Sequence, residues 1–178
     1  MHIETTRLIL RSIQPSETGI LRQFVQEPDI HQEFKSLASL NEGGLRHEIT
    51  ARHHGFNHPW CWMVTRNTNA IVGILLLRNY ETPRACQIYY ALTGSQRGNG
   101  YATEAVHGIR DYLKRQEHIP LVFLRGDIQN IDSQNVAIRA GFRVIGVPRT
   151  RPALFFGYAP YGMEPSQFLE KLSEVIPQ

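Results

Sequence analysis

The chain has 178 residues, 42% hydrophobic and 20% charged, with a net charge of +3 and an isoelectric point near 9.0. That length suits a single domain over residues 1–178 with a sizeable core, and so mild and evenly spread a charge excludes nucleic acid as the expected partner. Met1-His2-Ile3-Glu4 has no basic start or apolar core, the longest apolar run (Ile71 to Leu77) is too short to cross a membrane, and Cys61 and Cys86 stand outside any disulfide or metal spacing, so a cytoplasmic protein is expected.

In chain order, Arg7 to Arg11 alternates weakly and predicts a first strand. Pro15-Ser16-Glu17 opens a helix with Ile20, Leu21, Phe24 and Val25 on one face, and Pro28 stops it. Ile30, Phe34 and Leu37 predict a second helix and Leu45 to Arg52 a third, separated by Asn41-Glu42-Gly43-Gly44. His47, His53, His54 and His58 cluster next. His54 and His58 have i, i+4 spacing, but Gly55 and Pro59 break the helix that would present them together, and no cysteine or acidic ligand stands at metal spacing nearby. A loop is expected here, and no metal.

Trp60 to Val64 and Ile71 to Leu77 form two apolar runs around Arg66-Asn67-Thr68-Asn69, a predicted hairpin. Gly73 inside the second run signals a bulge or a close backbone approach, and Trp60 and Trp62 are expected in the core or a pocket wall. Tyr80 to Arg84 is a predicted turn, and Cys86 to Leu92 a strand broken by Thr93-Gly94-Ser95. Gln96-Arg97-Gly98-Asn99-Gly100-Tyr101 then feeds a helix whose apolar positions Ala102, Ala105, Val106, Ile109 and Leu113 recur at helical spacing. A glycine-rich turn at a helix start aims unpaired N–H groups and the positive dipole end at one place. Gly98 and Gly100 let a bulky anion approach the main chain, and Arg97 adds a fork of donors.

Pro120 precedes the apolar strand Leu121 to Leu124. Strand, crossover helix and strand imply one parallel pair, while the neighbouring hairpins imply an otherwise antiparallel sheet. Asn130 to Phe142 follows, where Asp132 or Ser133 can cap a short helix and Gly141 can end it. Pro148, Pro152, Pro160 and Pro165 punctuate the remainder. Only Ala153 to Tyr158 can pair there, before an amphipathic helix at about 165–176 carrying Phe168, Leu169, Leu172, Val175 and Ile176.

The glycine-rich turn admits rival readings. A dinucleotide fingerprint needs a glycine where Thr103 stands, and a nucleoside-triphosphate loop needs a Gly-Lys-Ser/Thr run that is missing. Glycines serving turn geometry alone remain the plain alternative. Arg97-x-x-Gly100-x-Ala102 resembles the acetyl-CoA motif of the GCN5-related N-acetyltransferases (GNAT), and Arg97 to Ala105 is similar to its RimJ/RimL-like branch. Glu4 to Arg11 is similar to the opening of that branch, and Asn130-x-x-Ser133 with Gly141-Phe142 to its later element, so the resemblance spans most of residues 4–147.

The resemblance implies an α/β (α+β) three-layer fold. Its sheet is mixed, twisted and mostly antiparallel, with a splayed parallel pair at strands 4 and 5 and helices on both faces. It implies direct transfer of acetyl from acetyl-CoA to a primary amine, a peptide N-terminus or a small molecule such as a polyamine, amino acid or antibiotic. A non-catalytic acyl-CoA-binding domain is the alternative, and either form would be a monomer or a homodimer. The cofactor's diphosphate would rest on main-chain amides of Gly98, Asn99, Gly100, Tyr101, Ala102 and Thr103 beside Arg97. Its pantetheine arm would follow Tyr90, Ala91 and Leu92 and meet Asn130, whose plain alternative is an Asx turn, while Ser133 would protonate the leaving thiolate, cap its helix, or do both. Asp127 is the candidate base or simply a turn residue, Glu104 is expected to be structural at the dipole, and Glu81 solvated in a loop.

Overall fold

The computed structural model describes residues 1–53, 60–80, 85–115, 119–146, 153–158 and 163–173. His54, His58, Glu81, Pro148, Pro152, Pro160, Val175 and Ile176 lie outside the described residues.

Eight strands, β1 (His2–Glu4), β2 (Leu8–Ser12), β3 (Cys61–Thr65), β4 (Ile71–Tyr80), β5 (Ala85–Leu92), β6 (Leu121–Asp127), β7 (Arg143–Gly146) and β8 (Ala153–Tyr158), hydrogen-bond in the order β1-β2-β3-β4-β5-β6-β8-β7. β5 and β6 run parallel with Ala85, Cys86 and Gln87 opposite Leu121, Val122 and Phe123. The pairs β1–β2, β2–β3, β3–β4, β6–β8 and β7–β8 are antiparallel. Among the described residues the α-helices are α1 (Thr18–Phe24), α2 (Pro28–Glu33), α3 (Lys35–Ala38), α4 (Glu42–His53), α5 (Tyr101–Arg115), α6 (Ile131–Arg139) and α7 (Pro165–Ser173). This is the mixed α/β architecture expected of the chain. Among the described residues no helix is long and apolar enough to cross a membrane.

Packing divides the chain into two compact units, Met1–Leu77 with Tyr90–Ala102, and Arg78–Tyr89 with Thr103–Gln178. In the first, β2 presents Leu8 and Leu10 to the core, and α1, α2 and α4 add Leu21, Ile30, Leu45 and Ile49. Trp62 meets Phe24 edge-on at 5.1 Å between ring centroids, and Trp60 meets Phe34 at 5.3 Å, so both tryptophans are core residues. β3 and β4 form the expected hairpin, with a register shift between Met63 and Val64. Gly73 sits opposite Met63, and a Cβ placed on it would lie 2.5 Å from both the Ala91 carbonyl oxygen and Met63 Cε. The bulge and the close approach expected at this glycine both occur.

In the second unit Ala85, Leu121, Phe123, Ile145 and Phe168 form a core cluster, with Tyr80 and Met163 against it. α7 supplies Phe168, and Gly157 on β8 leaves room for it and for Ile145, whose atoms lie 2.9–3.1 Å from a Cβ placed there. α5 buries Ala105, Val106, Ile109 and Leu113, the face its periodicity predicts.

Several expectations are corrected. The first strand is β1, a short pair to β2 that the alternation at Arg7 to Arg11 does not signal. Pro28 does not merely stop a helix. It occupies the first position of α2, where its missing N–H costs nothing. The single helix expected through Ile30 and Leu37 is two, broken at Phe34 with φ −119° and ψ 47°. Gly43 and Gly44 lie inside the first turn of α4, whose Gly44 N–H donates to Asn41 Oδ1 at 2.8 Å, so that segment starts a helix rather than separating two. Ile20 is exposed and does not join the buried face of α1.

Candidate functional site

The turn between β5 and α5 is built from one bond to β4 and several short-range bonds. Thr93 N–H donates to Val72 O at 3.1 Å, and a single 3-10 turn over Gly94–Gln96 closes with Gln96 N–H on Thr93 O at 2.9 Å. Gly98 and Gly100 then take φ of +76° and +77°, the left-handed region in which L side chains are strained. Among the described residues, beyond its chain neighbours, nothing lies within 4 Å of a Cβ placed on Gly98. Asn99, between them, folds its amide back to donate to Gln96 O at 3.3 Å and Arg97 O at 3.4 Å. α5 begins at Tyr101, and the N–H groups of a helix's first turn have no intrahelical acceptor. The dipole adds partial positive charge at that end.

Two side chains from distant sequence reach this turn. The Arg7 guanidinium donates to Asn99 O at 2.8 Å, and its carbon stands 4.9 Å from the centre of the Tyr101 ring. Asp29, on α2, pairs with Arg97 at 2.9 Å, and its Oδ2 lies 2.6 Å from where a Cβ on Gly94 would sit. Sequence reasoning missed both roles. Arg7 stood in a stretch singled out for other reasons, and nothing in local spacing announces a contact made across 92 residues.

Tyr90, Ala91, Leu92, Arg97, Gly98, Asn99, Gly100, Tyr101 and Ala102 all belong to the first unit, while Asp127, Asn130 and Ser133 belong to the second. Thr103 continues α5. In the second unit Asp127 ends β6, and its Oδ1 accepts from Gln129 N–H at 2.7 Å in an Asx turn. Its backbone oxygen accepts from Asn130 N–H at 3.0 Å. The cap of α6 corrects the expectation of Asp132 or Ser133. Asn130 is the N-cap, its Oδ1 accepting from Ser133 N–H at 3.0 Å, because its side chain is short enough to return to the third helical amide. Ser133 is half-buried, with its Oγ 3.6 Å from a Cβ placed on Gly126. At the far end of α6, Arg110 donates to Ala140 O and Gly141 turns with φ +85°.

Cys61 and Cys86 are both buried, and neither is in a disulfide. Burial pushes Cys61 up to about 12 and raises Cys86 further, so neither holds a thiolate near neutral pH. A buried, protonated thiol is a poor nucleophile. Among the described residues no three His, Cys, Asp or Glu side chains form a group able to hold a metal.

The family description "Acetyltransferase (GNAT) domain" matches residues 7–143. A curated protein of Bacillus subtilis (strain 168), the N-acetyltransferase YnaD, is 20% identical over 147 residues, 80% of this chain and 83% of its own. Among solved structures, RimL, a ribosomal L7/L12 α-N-protein acetyltransferase in complex with coenzyme A, superposes with a TM-score of 0.73 at 17% identity, covering 89% of this chain and 98% of its own. AAC(6')-Ib, in complex with paromomycin and acetyl-CoA, gives 0.69 at 14% identity over 85% of this chain and 92% of its own.

Proposed function

Since the chain belongs to the GNAT acetyltransferases, acetyl-CoA-dependent acyltransferases, we propose that it acetylates a primary amine, with a protein N-terminal α-amine as the favoured acceptor. The observation that carries the cofactor's placement is the turn at the mouth of α5. Its two left-handed glycines, the amides of the first helical turn and Arg97 are the donor set a diphosphate requires. The residues present fit the group. Gly98 to Thr103 would hold the diphosphate, the β5 end at Tyr90, Ala91 and Leu92 would run beside the pantetheine arm, and Asn130 would hydrogen-bond that arm. Acetyl-CoA supplies an activated acyl thioester, and the chain's task is to hold it, keep an amine neutral and manage a proton.

The acceptor preference follows from proton affinity. A lysine amine with a pKa of about 10.4 costs roughly 4–5 kcal/mol to deprotonate at pH 7, whereas an α-amine near 8 costs about 1. Asp127, whose Oδ1 accepts from Gln129 N–H, is the proposed base. RimL, by its name an α-N-protein acetyltransferase, points the same way, while AAC(6')-Ib with its bound paromomycin keeps a small-molecule amine as the second class. Ser133, held at its N–H by Asn130, is the proposed donor of a proton to the departing thiolate.

Thiol release from acetyl-CoA against N-terminal peptides, lysine peptides, polyamines and aminoglycosides tests the proposal. The expected result is fastest release with an N-terminal peptide. Saturable coenzyme A binding with no release for any acceptor would replace the enzyme with a binding domain. Ser133→Ala should lower turnover at saturating acetyl-CoA by roughly 100-fold or more, as loss of a general acid does. Undiminished turnover removes that role.

A further inference from the structure

We propose that Arg7 is a positioning residue of the cofactor site, setting the peptide plane that presents the Gly100 amide to the diphosphate. This rests on the placement of the diphosphate proposed above. Arg7 Nη1 donates to the Asn99 carbonyl at 2.8 Å. In a trans peptide the carbonyl of one residue and the N–H of the next point in opposite directions. Holding Asn99 O toward Arg7 therefore turns the Gly100 N–H away from it, to the opposite side of the turn.

Without that bond the plane has little to hold it. Glycines flank it in effect, since Gly98 precedes Asn99 and Gly100 is the second residue of the bond, and glycine resists rotation least. The guanidinium also stands over Tyr101, 4.9 Å from the ring centre, which anchors it to the first helical residue. Its Nη2 lies 3.3 Å from where a Cβ on Gly100 would project. So Gly100 does two things here: it adopts φ +77°, and it leaves Arg7 the space to reach past. A lysine could supply the charge but not the planar fork that bonds the carbonyl while stacking on the ring. The charge itself lies beside the helix mouth, where it adds to the attraction for an anion.

The test is coenzyme A titration of 15N-labelled protein, with Arg7→Met and Arg7→Lys variants and Gly100→Asp alongside. In the unaltered protein the Gly100 amide should shift on titration. Arg7→Met should move the Gly100 resonance before any ligand is added, shrink its response, and weaken binding roughly tenfold, about the strength of one charge-assisted hydrogen bond. The KM for acetyl-CoA should rise by the same factor while kcat stays level, a split that general destabilisation does not produce. Arg7→Lys should fall between, and it carries the test if Arg7→Met does not fold. Normal binding and an unmoved Gly100 resonance in both Arg7 variants, with Gly100→Asp unable to bind, would overturn this inference alone. Normal binding in Gly100→Asp would overturn the placement of the diphosphate and the inference with it.

Discussion

Two turns of this protein carry its proposed chemistry, and they are held in different ways. The turn at residues 127–134 is closed locally: Asp127 to Gln129 across two residues, Asn130 to Ser133 across three, and Gln134 to Ile128 across six. The turn at 97–101 has its own local bonds through Asn99, but its carbonyl at Asn99 and its cation at Arg97 are tied to Arg7 and Asp29, from β2's approach and α2. The first kind forms wherever the chain has those residues in that order. The second waits for strands and helices far away in sequence to arrive. A site assembled the second way can be altered from positions that never touch a ligand.

The contrast can be broken at its strongest point first. Gly100→Asp should weaken coenzyme A binding roughly 100-fold, through like charge at the helix mouth and capture of Arg7 by the new carboxylate. Aspartate tolerates positive φ better than most residues, so the fold should survive and calorimetric titration would report binding alone. A smaller effect belongs to the local turn. Asn130→Ala removes the N-cap of α6 and should cost about 1 kcal/mol of stability, seen as a lower urea midpoint with an unchanged slope. Smallest is Asp29→Asn. Its partner Arg97 is 54% exposed and Asp29 itself 39%, so stability should move by no more than about 0.5 kcal/mol. Because the freed Arg97 no longer has an anionic partner on α2, the same variant should bind coenzyme A slightly tighter, and a looser complex would show that Asp29 supports the turn instead.

How much of this was visible in the sequence follows the same division. The α5 face of Ala105, Val106, Ile109 and Leu113 was legible because periodicity is local, and so were the hairpin at β3 and β4 and the glycine turn itself. The parallel pair of β5 and β6 followed from strand–helix–strand order. The break at Phe34 was not legible, because Ile30, Phe34 and Leu37 keep helical spacing while the backbone turns aside between them. Nor was the cap of α6. Three of the four residues from Asn130 to Ser133, namely Asn130, Asp132 and Ser133, have capping side chains, and only geometry decides among them. Ile20 kept the period of α1 and still faces outward, since spacing gives a face but not its width. Arg7 and Asp29 belong to the class of contacts that composition and spacing do not encode.

Gly73 extends the point to a residue with no polar chemistry. On paper, alanine in an apolar strand is the mildest of changes and usually a gain, because it trims the freedom of the unfolded chain. Here the extra methyl would press on the Ala91 carbonyl and on Leu92 Cδ2, 2.5 and 2.7 Å away. The tail of β5 would have to yield, and a side chain can swing aside where a main-chain oxygen cannot. One hydrogen atom on β4 thus acts as a spacer gauge for the neighbouring strand, and swapping it for a methyl would serve as a fine adjustment screw on that strand's final residues.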